Sequence, residues 1–153
     1  MKRFLTFLLI AFTFSVAVAQ SRIYRGNSTY GSDILYSCDG RYLYKGNSGY
    51  SSDILFTFDG KYLYDGKSTY SSDVLLTFDG RYIYAGRSSY NSDVLFTFDG
   101  KYLYKGRSTY SSDILLTFDG KHVYKGRSTY SSDILFTLKG IVPLLFIVCA
   151  IFG

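Results

Sequence analysis

The side chains with chemistry to offer in this chain are aspartate, tyrosine, serine and a single histidine, and they recur at fixed intervals. The chain has 153 residues, and all 12 acidic residues are Asp. Two Asp types alternate, as at Asp53 and Asp59. Six residues of strand would hold them roughly 20 Å apart, too far for an acid/base pair within one unit. Like carboxylates stacked between units could gather around a calcium ion. Such a site needs about six to eight oxygens, and the compact carboxylate loop that supplies them is absent. Asp59 reads instead as a turn residue, and Asp53 as a side chain bonded to nearby backbone. His122 stands where other units have Tyr62, Tyr82 and Tyr102. The many Ser hydroxyls have no neighbouring base to activate them. No catalytic site, metal site or cofactor is expected.

Tyrosine is the better candidate for function. Tyr42, Tyr62, Tyr82 and Tyr102 form one series, and Tyr44, Tyr64, Tyr84, Tyr104 and Tyr124 a second. Between units come Tyr30, Tyr50, Tyr70, Tyr90, Tyr110 and Tyr130. Rings at regular spacing can stack on sugars or other flat apolar faces, and repetition adds avidity for a polymer. The competing reading is that Tyr is a good strand former that packs across a sheet.

These series follow from a repeat. Units of 20 residues begin at Tyr24, Tyr44, Tyr64, Tyr84, Tyr104 and Tyr124, without insertion. In each, two short runs of β-formers flank an Asp-Gly pair, as in Asp53 to Phe58, Asp59-Gly60, and Lys61 to Tyr64. Asp-Gly between alternating β-formers predicts a two-residue type I′ hairpin turn. Turns are expected at Asp39-Gly40, Asp59-Gly60, Asp79-Gly80, Asp99-Gly100 and Asp119-Gly120. That register sets Phe58 opposite Lys61 and Phe56 opposite Leu63. Ile54, Phe56, Phe58 and Leu63 then share a core face, and Leu55, Thr57, Tyr62 and Tyr64 an amphipathic one. The Gly at 26, 46, 66, 86, 106 and 126 opens each Ser-rich connector at a bulge or positive-φ turn.

A lone hairpin is marginal in water, so each unit must pair with its neighbours. The expected fold is all-β: six tandem hairpin repeats in an open or superhelical antiparallel stack. A closed barrel or a β-solenoid is the alternative. The repeat domain is expected over residues 24–140. In the sixth unit Lys139 replaces the turn Asp, and an apolar run from Ile141 to Gly153 follows. As a helix this run spans roughly 20 Å, short of a hydrocarbon core of about 30 Å. It is expected to cap the last hairpin, with membrane association the second reading.

Met1-Lys2-Arg3, an apolar run and Ala17-Val18-Ala19 have the parts of a secretory signal peptide over residues 1–19, cleaved after Ala19. The destination is then the cell envelope or the medium. Removing it leaves 15 basic and 12 acidic residues, a net of +3. Acids and bases alternate along the units, which argues against a nucleic-acid partner. Cys38 and Cys149 fall at opposite ends of an open stack, too far apart for a disulfide, so both thiols should be free.

Phe58-Asp59-Gly60-Lys61-Tyr62-Leu63-Tyr64 resembles the aromatic hairpin repeats of bacterial cell-wall-binding (choline-binding-type) proteins. Asp99-Gly100 to Gly106 resembles the MORN repeat. Both likenesses run from Tyr24 to Gly140 and imply stacked hairpins. The chain has no Trp, the residue that usually forms the cell-wall ligand box, so no ligand is carried over. The resulting expectation is an exported, non-enzymatic binding scaffold. Its partner would be a polymeric glycan or another envelope component. Self-assembly into a surface layer is the alternative.

Overall fold

The computed structural model describes residues 19–153. Residues 1–18, which hold nearly all of the expected signal peptide, lie outside the described part. Twelve strands alternate with short connections: β1 (Ser21–Arg25), β2 (Ile34–Cys38), β3 (Tyr42–Lys45), β4 (Ile54–Phe58), β5 (Tyr62–Asp65), β6 (Val74–Phe78), β7 (Tyr82–Ala85), β8 (Val94–Phe98), β9 (Tyr102–Lys105), β10 (Ile114–Phe118), β11 (His122–Lys125) and β12 (Ile134–Lys139). One helix, α1 (Leu144–Phe152), ends the chain.

Each strand pairs antiparallel with the next, and β1 pairs with both β2 and β12, so the sheet closes into a barrel. This corrects the open stack. The reason lies in the two chain ends. Ile23-Tyr24-Arg25-Gly26 has the pattern of the second strand of a hairpin, as in Leu63 to Gly66, but among the described residues no first strand precedes it. The last repeat supplies a first strand, β12, with no second strand after it. The two halves complete one another, with Ile23 opposite Leu138 and Tyr24 opposite Thr137. Closure removes both edges that an open stack would expose.

The turn is also one residue out from the sequence expectation. Phe58 stands opposite Leu63 and Thr57 opposite Tyr64. The Asp59 N–H donates to the Tyr62 carbonyl at 3.2 Å. The two central residues are therefore Gly60 and Lys61, not Asp59 and Gly60. Among the described residues no side-chain-bearing residue has positive φ, whereas Gly60 lies at +100°. Gly at the first central position is the arrangement of a II′-like loop. Asp59 contributes through its side chain instead. Its Oδ1 accepts the N–H groups of Lys61 at 2.9 Å and Tyr62 at 2.7 Å.

The two-residue shift in pairing keeps most faces as expected, because side chains alternate with period 2. Leu43, Leu63, Ile83 and Leu103 point inward and are fully buried. Phe56 and Phe58 pack against that core, and Lys61 is exposed. A bulge moves one pair. Leu63 faces Leu76 while Tyr64 faces Val74, which leaves Leu75 unpaired on that edge. Such a bulge brings two successive side chains toward one side. The Leu55 series therefore turns inward: Leu35, Leu115 and Leu135 pack on the core. Ile54 sits opposite Tyr44 on the outer series. The assignment of Ile54 inward and Leu55 outward is thus reversed.

Eight strands enclose a space that side chains alone can fill, and diameter grows with strand number. Twelve leave a wider lumen, and α1 fills it. Leu145, Phe146, Ile147 and Val148 are buried, and Phe146 meets Phe58 edge-on at 6.1 Å between ring centres. The tail is a central plug and not a cap on the last hairpin. It enters at the mouth lined by the Gly-Lys/Arg turns, where Leu144 neighbours Gly100 and Gly120. It ends at the connector mouth, where Phe152 stacks on Phe96 at 5.1 Å. Among the described residues no helix is long and apolar enough to cross a membrane. Cys38 and Cys149 are both free although the chain ends meet. They sit at different depths of the barrel, Cys38 beside a turn and Cys149 near the connector mouth. Burial pushes each thiol up to about 11.

Candidate functional site

The connectors are the most regular polar structures on the surface; all six share a glycine turn and a Ser-Asp bond, and five also share a threonine contact, which Ser37 replaces with a bond to the Ser48 carbonyl. Gly66, at φ +55°, turns the chain out of β5. Its N–H donates to the Leu55 carbonyl at 2.9 Å. Its own carbonyl accepts the Thr57 hydroxyl at 2.7 Å. Thr57 is on the outer face yet buried, because the connector folds back over it. The same hydroxyl bond recurs at Thr77, Thr97, Thr117 and Thr137.

Further along, the Ser68 hydroxyl donates to Asp73 and accepts the N–H of Tyr70 at 3.1 Å. The Asp73 N–H donates to the Tyr70 carbonyl at 3.0 Å, closing a short 3-10 turn over Ser71–Asp73. Hydrogen bonds from the Ser68 and Ser72 hydroxyls hold the Asp73 carboxyl below its usual range. Asp53, expected to bond backbone, accepts the Ser48 hydroxyl in the same way. The backbone of Tyr70 is thus held at both its N–H and its carbonyl, while its side chain is 76% exposed. Tyr30, Tyr50, Tyr90, Tyr110 and Tyr130 repeat the arrangement, at 74–77% exposure. One ring per two strands puts neighbouring tyrosines roughly 10 Å apart or more around the barrel. The backbone is thus fixed at each of the six positions, while the ring is left open to solvent.

The two strand series of tyrosines are placed differently. Tyr44, Tyr64, Tyr84, Tyr104 and Tyr124 are buried under the connectors. Each donates its hydroxyl to the Asp five residues earlier at 2.8 Å, as Tyr64 does to Asp59. Burial, the Asp39 hydrogen bond and the Asp39 charge push the Tyr44 phenol up to about 12. Tyr42, Tyr62, Tyr82 and Tyr102 are half-buried, and each has a cation over its ring. Arg41, Lys61, Arg81 and Lys101 lie 5.1–5.4 Å from the respective ring centres. From the connectors, Arg87 reaches Tyr62 at 5.4 Å and Arg107 reaches Tyr82 at 5.2 Å. Hydrogen bonds from Arg87 and Lys61 lower the Tyr62 phenol, and one from Arg107 lowers that of Tyr82. His122 takes this series' place in its unit, with Nδ1 3.1 Å from Asp119. These rings serve as walls and charge partners, and the connector tyrosines present the open aromatic faces.

Several turn aspartates are held in the charged form more strongly than a free carboxyl. Burial pushes the Asp59 carboxyl up, but the N–H groups of Tyr62 and Lys61 and the Tyr64 hydroxyl outweigh it and hold it below the usual range. Asp79 and Asp99 match it. Among the described residues no three His, Cys, Asp or Glu side chains are gathered as metal ligands.

An apolar cleft of about 390 Å³ opens at the connector mouth, between α1 and the strands of β4, β6 and β8. Nothing in the hydrophobic pattern alone marks it, since Leu75 and Leu95 in its wall repeat Leu55 and Leu115 elsewhere.

A family model described as "6-fold beta flower protein" matches residues 23–150. That span takes in the repeats together with most of the central helix. No curated protein and no solved structure matches the chain.

Proposed function

The chain belongs to the 6-fold beta flower family, and from that premise we propose that it is an exported, non-enzymatic display scaffold in the cell envelope or outside the cell. Its ligand is a polymeric glycan or other envelope polymer, held by the six connector tyrosines. The observation that carries this reading is the set itself: six rings in equivalent positions, each with its backbone pinned and its side chain about three-quarters exposed. An aromatic contact contributes about 0.5–1.5 kcal/mol. One such contact binds weakly, but six on one rigid body raise the avidity for a repeating ligand. The flanking cations Lys67, Arg87, Arg107 and Arg127 favour a polymer bearing acidic groups. The closed sheet weighs against edge-to-edge self-assembly, because each strand is paired on both sides.

The test is an array of cell-wall and capsular polysaccharides probed with the chain lacking residues 1–19. A second probe carries Ser in place of Tyr30, Tyr50, Tyr70, Tyr90, Tyr110 and Tyr130. Binding by the parent and loss by the variant, with thermal stability unchanged, supports the reading. Equal binding by both, or none by either, refutes it.

A further inference from the structure

Charge is sorted unevenly on the outer wall. Among the described residues the single ion pair joins His122 to Asp119 at 3.1 Å, and no Lys or Arg is paired with a carboxylate. The aspartates are taken up by other donors. Asp59 and Asp79 each accept two N–H groups and a tyrosine hydroxyl. Asp73 and Asp93 accept the hydroxyls of Ser68 and Ser88. The cations gather on tyrosine instead. At Tyr62 on β5, Lys61 and Arg87 lie 5.1 and 5.4 Å from the ring centre. At Tyr82 on β7, Arg81 and Arg107 lie 5.4 and 5.2 Å away. Tyr102 on β9 has Lys101 at 5.2 Å, and the Arg127 charge reaches the neighbouring Tyr104. The opposite wall lacks the second cation. Asn27 and Asn47 hold the position of Arg87 there, and the Arg22 Nε–H donates to Asn47 at 3.1 Å.

We infer that the outer wall across β5, β7 and β9 binds a polymer bearing sulfate or phosphate monoesters, with one ester between the two cations at Tyr62 and the next at Tyr82. This deepens the proposed reading, from which it takes the polymer, but it uses none of the connector rings. Arg87 and Lys61 both donate to the Tyr62 hydroxyl, and Arg107 donates to that of Tyr82. Guanidinium, ammonium and the phenol's own proton therefore face one point at Tyr62. A sulfate or phosphate monoester brings three terminal oxygens to such a point, and a carboxylate brings two. Each position sets two cations against one turn carboxylate, which backbone N–H groups already engage, so an oxyanion meets net positive charge. The two tyrosines are two strands apart, about 10 Å, which sets the spacing of esters along the polymer. Lys61, Arg81, Arg87 and Arg107 are exposed. Resting on the rings, they lose less freedom on binding than cations free in solvent.

The experiment is titration calorimetry of the chain lacking residues 1–19 at physiological ionic strength, where charges are screened beyond about 8 Å. The probes share one backbone: dextran, dextran sulfate, dextran phosphate and carboxymethyl dextran, the last three matched in charge. At least one of the two ester polymers should bind, with affinity falling as salt is raised. Plain dextran should not bind, and carboxymethyl dextran should bind at least about tenfold more weakly. Arg87→Gln/Arg107→Gln should weaken binding by about tenfold or more, as loss of two charge-assisted hydrogen bonds requires. Arg22→Gln/Arg25→Gln removes the same charge away from this wall and should change binding less than about twofold. Tyr62→Phe/Tyr82→Phe keeps the rings and removes two hydroxyl donors, and should weaken binding about threefold or more. The variant with Ser at the six connector tyrosines should bind the ester polymer as the parent does, which separates this site from the connector rings. Binding of neither ester polymer would overturn the inference. So would equal binding of carboxymethyl dextran, equal loss from the two arginine pairs, or loss of binding in the connector variant.

Discussion

The Thr137 hydroxyl donates to the Gly26 carbonyl at 2.7 Å across 111 residues of chain. Thr57 makes the same bond to Gly66 across nine. One local contact of the repeat therefore also joins the two ends. Thr57→Val and Thr137→Val should each cost about 1 kcal/mol in thermal or denaturant unfolding, as loss of one hydrogen bond requires. They should differ in hydrogen exchange. Only Thr137→Val should speed exchange across β1 and β12, because of the two hydroxyl bonds only that of Thr137 spans the seam.

The helix inside the barrel makes a sharper stability prediction. Phe146 is fully buried against Phe58. Phe146→Ala should destabilise the chain by about 3–5 kcal/mol, the range for a large core side chain cut to a methyl. The exposed Ile141→Ala, just before the helix, should change stability by less than about 0.5 kcal/mol. Similar losses from both would mean that the tail does not occupy the lumen.

Acid should unfold the barrel through its turns. Asp59, Asp79 and Asp99 are held below their ordinary 3.8 in the fold, and Asp119 is held down as well. A depressed carboxyl contributes stability that is present above the unfolded value and lost as pH falls below it. Stability should therefore drop as pH decreases through about 4 and continue falling. Replacing all four by Asn should flatten that dependence, measured by urea unfolding at a series of pH values.

Alkali should act through the buried phenols. Tyr44 is raised from 10 to about 12, so the stability from its neutral form is complete below pH 10 and lost as pH rises toward 12. Tyr62 and Tyr82 are lowered by their cations. Ultraviolet titration should resolve an early class that disappears in Tyr62→Phe/Tyr82→Phe. It should also show a late class whose ionisation coincides with unfolding.

Much of this was legible in the chain. The period, the hairpins, the antiparallel pairing and the inward Phe58 and Leu63 series followed from alternation and turn residues. The turn register did not, because Asp-Gly serves two loop types and only the side chain of Asp59 on Lys61 and Tyr62 N–H groups decides between them. The Ile54/Leu55 reversal came from a bulge, to which three consecutive apolar residues give no phase. Closure was written in the unmatched halves at Ile23–Gly26 and Ile134–Leu138, but pairing between chain ends is a tertiary event. The place of the tail depended on closure, since only a wide lumen calls for a helix. At the candidate site, sequence spacing picked out all three tyrosine series alike. Which rings stay open depended on the connectors folding back over Thr57 and Tyr64.

Six equivalent connector tyrosines acting together on one polymer should lose their hold gradually as they are removed in steps. Variants with one to six of Tyr30, Tyr50, Tyr70, Tyr90, Tyr110 and Tyr130 changed to Ser would be titrated with the polysaccharide bound best on the array. Each replacement should weaken binding by a similar factor, about two- to tenfold, whichever connector carries it. Full loss on changing a single tyrosine, or undiminished affinity after all six, would contradict it.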